Sequence, residues 1–148
     1  MGLATLTGLF AVVVVITLSS LRGLAMRENE THVQALLEAL GSSLNREVLA
    51  APPTNLRELT EKDDSLAAEL SDTRWSGDLL FRHGYFVELL APTEADATSP
   101  TLVAWPSQHG RTGNRAFIWR PEGGLVIRAN ARSPWSGLEH PPSAPGLE

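Results

Sequence analysis

Residues 1–21 read MGLATLTGLFAVVVVITLSSL, and Arg22 carries the first charged side chain of the chain. A helix needs roughly 20 apolar residues to cross a bilayer core about 30 Å thick. The segment is therefore long enough to span a membrane as one helix. Its β-branched part, Val12–Ile16, would also be helical in lipid, because every backbone group there must be hydrogen-bonded internally. We predict a transmembrane anchor over residues 1–25.

Two other interpretations of this segment stay open. In a secreted protein, Gly23-Leu24-Ala25 would serve as the small-x-small cleavage site of a signal peptide, although the segment lacks a basic start and exceeds the usual apolar length of about 7–15 residues. A buried core helix is the third interpretation, for which 21 uncharged residues are many in so small a domain. Arg22 and Arg27 follow the segment, so the positive-inside rule alone places the C-terminal part in the cytoplasm.

The apolar pattern continues beyond the anchor as a helical stripe. Residues at intervals of mostly three and four form it: Val33, Leu36, Leu37, Leu40, Leu44 and Val48. The first prolines after it are Pro52 and Pro53, which end a helix. We predict an amphipathic extension over residues 26–51 and one continuous helix from about Leu3 to about Val48.

Residues 52–131 are predicted to form a globular α+β domain. Thr54 is a candidate cap for a short second helix, which can divide at Asp63-Asp64. Alternating apolar residues then predict four strands, at Tyr85–Leu90, Thr101–Trp105, Arg115–Arg120 and Leu125–Ala129. Pro121–Gly124 is a hairpin signal, and the short connections favour an antiparallel meander.

The aromatic residues of this domain are predicted to form the sheet face that packs on the helix: Tyr85, Phe86, Trp105, Phe117 and Trp119. Residues 132–148 contain four prolines and no periodicity, which predicts a disordered tail in which only Trp135 folds back. The fold class is thus α+β, with a long N-terminal transmembrane and amphipathic helix on a small antiparallel sheet.

The composition excludes several kinds of function. A net charge of −5 gives no basic footprint for nucleic acid, and the absence of cysteine excludes disulfides and thiolate chemistry. The histidines do not pair at helical zinc-site spacing: His32, His83, His109 and His140. No nucleophile and base, or paired carboxylates, stand out as a catalytic set. We predict a non-enzymatic protein without catalytic or cofactor-binding residues.

Three short motifs in the second half carry a resemblance to a known family. They are GYFVEL at 84–89, GRTGNRAF at 110–117 and GLVIR at 124–128. In this order, after a membrane helix with an amphipathic extension, they resemble the strands of type IV pilins and of the pseudopilins of type II secretion. The family carries a short basic leader and a glutamate at the fifth mature position. In this chain residue 5 is Thr5, and no basic side chain precedes Arg22.

The resemblance implies a structural subunit of a bacterial secretion or pilus-type assembly. It implies a single-pass protein of the inner membrane, with its C-terminal domain outside the cytoplasm. Its partners would be the lipid bilayer and other pilin-like subunits, which pack through the N-terminal helix. The alternatives are a single-pass protein whose exported domain binds a ligand or partner without polymerising, and a small domain secreted after signal cleavage.

The resemblance also implies one candidate metal site. Calcium stabilises sheet loops in some pseudopilins, and Glu94 and Asp96 lie in the loop before the second predicted strand. Calcium takes six to eight oxygen ligands. The loop from Pro92 to Pro100 supplies two carboxylates, so a solvated acidic loop is the favoured interpretation.

Overall fold

One long helix lies against one face of a six-stranded antiparallel sheet. The computed structural model describes residues 2–47, 53–92, 99–131 and 134–142; within the first helix it describes the side chains of Phe10 and residues 12–46. The helices are α1 (Gly2–Glu47), α2 (Leu56–Lys62) and α3 (Asp64–Glu69). The strands are β1 (Arg74–Ser76), β2 (Leu79–Arg82), β3 (Tyr85–Leu90), β4 (Thr101–Pro106), β5 (Arg115–Arg120) and β6 (Gly124–Ala129). The predicted α+β class is confirmed.

The α1 helix is continuous, as predicted. Its 46 residues give a length of about 70 Å at 1.5 Å per residue. The predicted stripe is buried under the sheet from Val33 to Leu44, and each of its members in that range is at most 4% exposed. Val48, the last member of the predicted stripe, lies outside the described residues.

The sheet is a meander in which each strand pairs with the next along the chain. The four predicted strands are confirmed, and β1 and β2 add a hairpin before them. These two strands escaped prediction because three and four residues are too few to establish a period. A two-residue turn joins β2 to β3, with His83 at φ 48° and Gly84 at φ 75°. Positive φ at both positions is typical of a type I′ turn, whose twist matches that of the flanking strands.

The prediction that five aromatic residues share one face of the sheet was wrong. Tyr85, Phe117 and Trp119 pack on α1, whereas Phe86 and Trp105 belong to a second apolar cluster. Successive residues of a strand point to opposite faces. In β4, Leu102 and Ala104 face the helix, so Trp105 must face away from it. The sheet is therefore buried at its centre on both faces.

A C-terminal segment covers the second face. The indole of Trp105 donates to the carbonyl of Gly137 at 2.8 Å. The Asn130 amide bonds both the N–H and the carbonyl of Trp135, at 2.7 and 2.8 Å, and the Arg128 guanidinium lies 4.7 Å from the centre of the Trp135 ring. The predicted folding back of Trp135 is confirmed, but residues 134–142 around it form a docked turn where a disordered tail was predicted. The other tail positions, 132–133 and 143–148, lie outside the described residues.

Two short helices close the end of the domain where α1 finishes. The cap of α2 is Asn55, not Thr54 as predicted; Thr54 instead bonds the Glu58 carboxylate through its N–H and its hydroxyl. The predicted division at Asp63-Asp64 is confirmed. Asp63 caps α3 and also accepts bonds from the Ser43 hydroxyl at 2.7 Å and from Arg46 at 2.6 Å. The bond that Asp63 accepts from the Ser65 hydroxyl, together with those from Ser43 and Arg46, holds the pKa of the Asp63 carboxyl well below its usual range.

Candidate functional site

The N-terminal half of α1 presents apolar side chains that nothing in the described chain covers. They are between 36% and 70% exposed: Phe10, Val12, Val13, Val14, Val15, Ile16, Leu18, Leu21 and Leu24. Consecutive helical residues are about 100° apart, so Val12–Ile16 alone surround the axis. A helix that is apolar on every side suits an apolar surrounding, whereas a helix on a protein surface has a polar face.

The hydroxyl groups of the side chains described in this half are already satisfied within the helix. Thr17, Ser19 and Ser20 each donate to the carbonyl four residues earlier, at 2.8–2.9 Å. Thr31 and Ser42 make the same bond nearer the sheet, so the arrangement is not confined to the apolar half. Its consequence is that Thr17, Ser19 and Ser20 do not require water as a partner for their protons.

A membrane-spanning helix is not found among the described residues: none of their helices combines the length and the apolar character that a crossing requires. Residue 1 and the side chains of 2–9 and 11, which belong to the predicted anchor, lie outside that part.

Polar contacts fix α1 where it leaves the sheet. The Asn29 amide donates to the carbonyl of Thr112 at 3.0 Å. Glu30 is the next residue of α1. Its carboxylate accepts the N–H of Asn114 at 2.9 Å and lies 3.7 Å from the Arg115 guanidinium. Both contacts reach the loop between β4 and β5, so they set the direction in which the exposed half of α1 projects.

The same loop packs tightly on β3. The Tyr85 hydroxyl donates to the carbonyl of Arg115 at 3.1 Å and lies against Gly113, where a Cβ would overlap it. Burial raises the pKa of the Tyr85 hydroxyl above its usual value, and the charge of Glu30 adds to that shift. A buried, neutral tyrosine of this kind fixes a loop; it is not available as an acid or base near neutral pH.

Two of the candidate histidines meet at this end of the domain. The rings of His32, on α1, and His83, in the β2–β3 turn, are 4.4 Å apart. Burial lowers the pKa of His83, and the neighbouring charges of His32 and Arg82 lower it further. No sequence pattern indicates this contact, since the two residues lie on elements that only the tertiary fold brings together.

Two clefts lie beside Arg115. One has a volume of about 640 Å³ and is lined by His109, Asn114, Arg115, Ile127, Ala129, Asn130 and Ala131. The other has a volume of about 350 Å³ and is lined by Arg27, Glu30, Thr31, Gln34, Arg115 and Phe117. The first has apolar walls beside the charge of Arg115, whereas the second is mainly polar, with Phe117 as its apolar side. The described residues that line them do not include a nucleophile hydrogen-bonded to a base.

The candidate calcium ligands Glu94 and Asp96 lie outside the described residues. Across 2–47, 53–92, 99–131 and 134–142, no three His, Asp or Glu side chains are grouped as metal ligands.

Comparisons with protein-family profiles, curated proteins and solved structures found no match for this chain. The architecture is compatible in outline with a pilin-like arrangement, since a long N-terminal helix lies against an antiparallel sheet.

Proposed function

We propose that this chain is a non-enzymatic, single-pass membrane protein of pilin-like architecture. The N-terminal half of α1 would lie in the bilayer and pack against the same helix of other pilin-like subunits, in a bacterial secretion or pilus-type assembly. The observation that supports this most is the apolar surface from Phe10 to Leu24, exposed on all sides of a helix whose other half has one face buried under the sheet.

The apolar surface of α1 needs a covering of lipid or protein. Exposed apolar patches of several hundred Å² mark sites for lipid or protein contact. Lipid suits the whole circumference and the internally bonded hydroxyls of Thr17, Ser19 and Ser20. The α1 helices of neighbouring subunits would cover one side of this circumference. A subunit that embeds one half of α1 and carries a folded domain on the other half combines both contacts.

The orientation in the membrane follows from the resemblance alone. It places the sheet domain outside the cytoplasm, on the outer side of the inner membrane. Arg22 and Arg27 favour the opposite orientation by the positive-inside rule. A basic leader before the apolar segment would reverse that preference.

A second candidate is a single-pass protein whose exported domain binds a partner without polymerising. The cleft of about 640 Å³ beside Arg115 and Ile127 is the observation that favours it. A third is a domain secreted after cleavage behind Ala25, which would begin at Met26.

Disulfide crosslinking in native membranes distinguishes these candidates. The chain contains no cysteine, so each introduced thiol is unique. Single substitutions Val13→Cys, Val14→Cys, Val15→Cys and Ile16→Cys sample almost the full circumference of the helix. Assembly through α1 predicts crosslinked species at some of these positions and not at others, because only one face of a helix meets a given neighbour.

The exposed Ser42→Cys, on the domain half of α1, is the matched control. Membrane retention with no crosslink at any of the four positions would support the second candidate. A soluble product whose N-terminal sequence starts at Met26 would establish the third and contradict the membrane anchor.

A further inference from the structure

The end of the domain from which α1 emerges forms a distinct surface, the exit surface. It consists of the α1 turn at Glu28–His32, the β2–β3 turn at His83-Gly84, the loop 107–114 and the turn 136–140. The hydrogen bond from Asn29 to Thr112 places the loop 107–114 level with this turn of α1. The ring contact of His32 with His83 does the same for the β2–β3 turn. The turn 136–140 is attached beside them by two hydrogen bonds. The Gly137 N–H donates to the Pro106 carbonyl, and the His109 N–H donates to the Ser136 hydroxyl.

Arginines are concentrated on the exit surface and on the part of α1 that directly precedes it in the chain. Arg22 and Arg27 are exposed on α1, Arg111 is exposed at the tip of loop 107–114, and the Arg115 side chain is 57% exposed. Among the carboxylates there, Glu30 is bonded to Asn114 and Arg115, and Asp72 is paired with Arg82 at 3.2 Å. Glu28 and Glu139 are exposed. The acidic excess of the chain, which has a net charge of −5, therefore lies mainly elsewhere.

One exposed apolar side chain accompanies these charges. Leu138 is 56% exposed at the tip of the turn 136–140, beyond Gly137, whose φ is 61°. The turn itself is held on the sheet by the bond from Trp105 to the Gly137 carbonyl. A leucine at the tip of a fixed turn, on the surface that also carries these arginines, is suited to the boundary between lipid headgroups and acyl chains.

The distance along α1 places this surface near the headgroups of a bilayer. From Leu21, the end of the uncharged segment, to Asn29 the helix rises about 12 Å. The headgroup layer on each side of a bilayer is about 5–8 Å thick. The remaining gap is shorter than the screening length of about 8 Å at physiological salt, so the arginines lie within the surface potential of an anionic membrane.

We infer that the exit surface rests on a layer of anionic phospholipid headgroups, with Arg27 and Arg111 facing the phosphates and Leu138 entering the boundary region. This inference rests on the proposed membrane anchor and adds the lipid class that the folded domain recognises. Contact with the membrane would limit the angles that the domain can adopt about α1.

The test uses the full chain reconstituted in vesicles of phosphatidylcholine, with or without phosphatidylglycerol, each containing a headgroup-linked quencher. A fluorophore on Gln108→Cys, in the exposed loop of the exit surface, reports contact. A fluorophore on Glu61→Cys, in α2 at the opposite end of the domain, is the matched control. We expect stronger quenching at 108 in the anionic vesicles, a loss of that difference at high salt, and no lipid dependence at 61.

Charge variants complete the test. Arg111→Gln should reduce the contact equilibrium about fivefold, the typical effect of one basic side chain near an anionic surface. Lys62→Gln removes a charge at the opposite end and should leave the quenching unchanged. Incorporation with equal quenching of 108 in both vesicles would overturn the inference and leave the anchor intact. Failure of the chain to incorporate would overturn the proposed function and this inference with it.

Discussion

Gly41 provides a sharp test of how α1 packs on the sheet. It lies in the interior of α1, where glycine normally weakens a helix relative to alanine by about 0.5–1 kcal/mol. A Cβ at this position would lie 2.5 Å from Cδ2 and Nε1 of the Trp119 indole, and nearer still to Cε2. Trp119 is 6% exposed, so the ring has little room to move. The backbone of α1 therefore contacts the indole directly, and the missing side chain is what permits it.

The substitution Gly41→Ala should therefore destabilise the domain although it favours the helix. Overpacking a filled core costs about 1–3 kcal/mol, and the gain in helix propensity offsets part of that, so we expect a net loss of about 1–2 kcal/mol. The measurement is the denaturation midpoint of the detergent-solubilised full chain, followed by tryptophan fluorescence. In the Trp119→Phe background the same change should cost less, because the smaller ring vacates part of the space.

Gly23→Ala is the matched control in the same helix. A Cβ there meets no atom within 4 Å, so this substitution should leave the domain's stability unchanged or raise it slightly. If Gly41→Ala stabilised the domain as Gly23→Ala does, the close contact between α1 and Trp119 would be refuted.

Three further substitutions test the remaining contacts. Asp63→Ala removes the cap of α3 and the bonds to Ser43 and Arg46. It should lower the free energy of unfolding by about 1–2 kcal/mol at neutral pH, measured by urea denaturation. Because the pKa of Asp63 is lowered in the folded state, this difference in stability from the parent should shrink as the pH falls below about 4. Trp135→Ala uncovers the second face of the sheet and should lower the free energy of unfolding by about 3 kcal/mol, also measured by urea denaturation, with faster proteolysis near residue 135. Unchanged stability would show that this segment is not docked on the sheet. The pKa of His83 is lowered on folding, so below about pH 6.5 the unfolded chain binds more protons than the folded one and stability falls. The substitution His83→Asn, in which asparagine tolerates the positive φ, should flatten that fall in stability between pH 7.5 and 5. An unchanged slope would contradict the lowered pKa of His83.

Regular periodicity made much of the fold predictable. The stripe from Val33 to Leu44 recurs at helical spacing over three turns, which identified both the helix and the face that it buries. The strands β3 to β6 each have six residues, which is long enough for a period of two to be recognised. The division at Asp63 was predictable because an aspartate is a strong helix cap.

Features that depend on tertiary contact were not predictable. Phe86 and Trp105 have the composition of core residues, but which face they occupy depends on what covers the second side of the sheet. Trp135 provides that cover; its folding back was predicted, but nothing in its proline-rich segment indicates which face of the sheet it covers. The contact between Asn29 and Thr112 joins residues 83 positions apart, and no local pattern marks either partner.

In the proposed arrangement, lipid covers the N-terminal half of α1 while the sheet covers part of the other half. Val15, at 62% exposure, and Ala35 are both exposed in the structure, so the protein itself protects neither position. The decisive measurement is the labelling of Val15→Cys and Ala35→Cys by a membrane-impermeant maleimide, added on the side of the sheet domain of membranes that contain the full chain. We predict labelling of Ala35→Cys in intact membranes and of Val15→Cys only after detergent is added. Equal labelling of both without detergent would contradict the account.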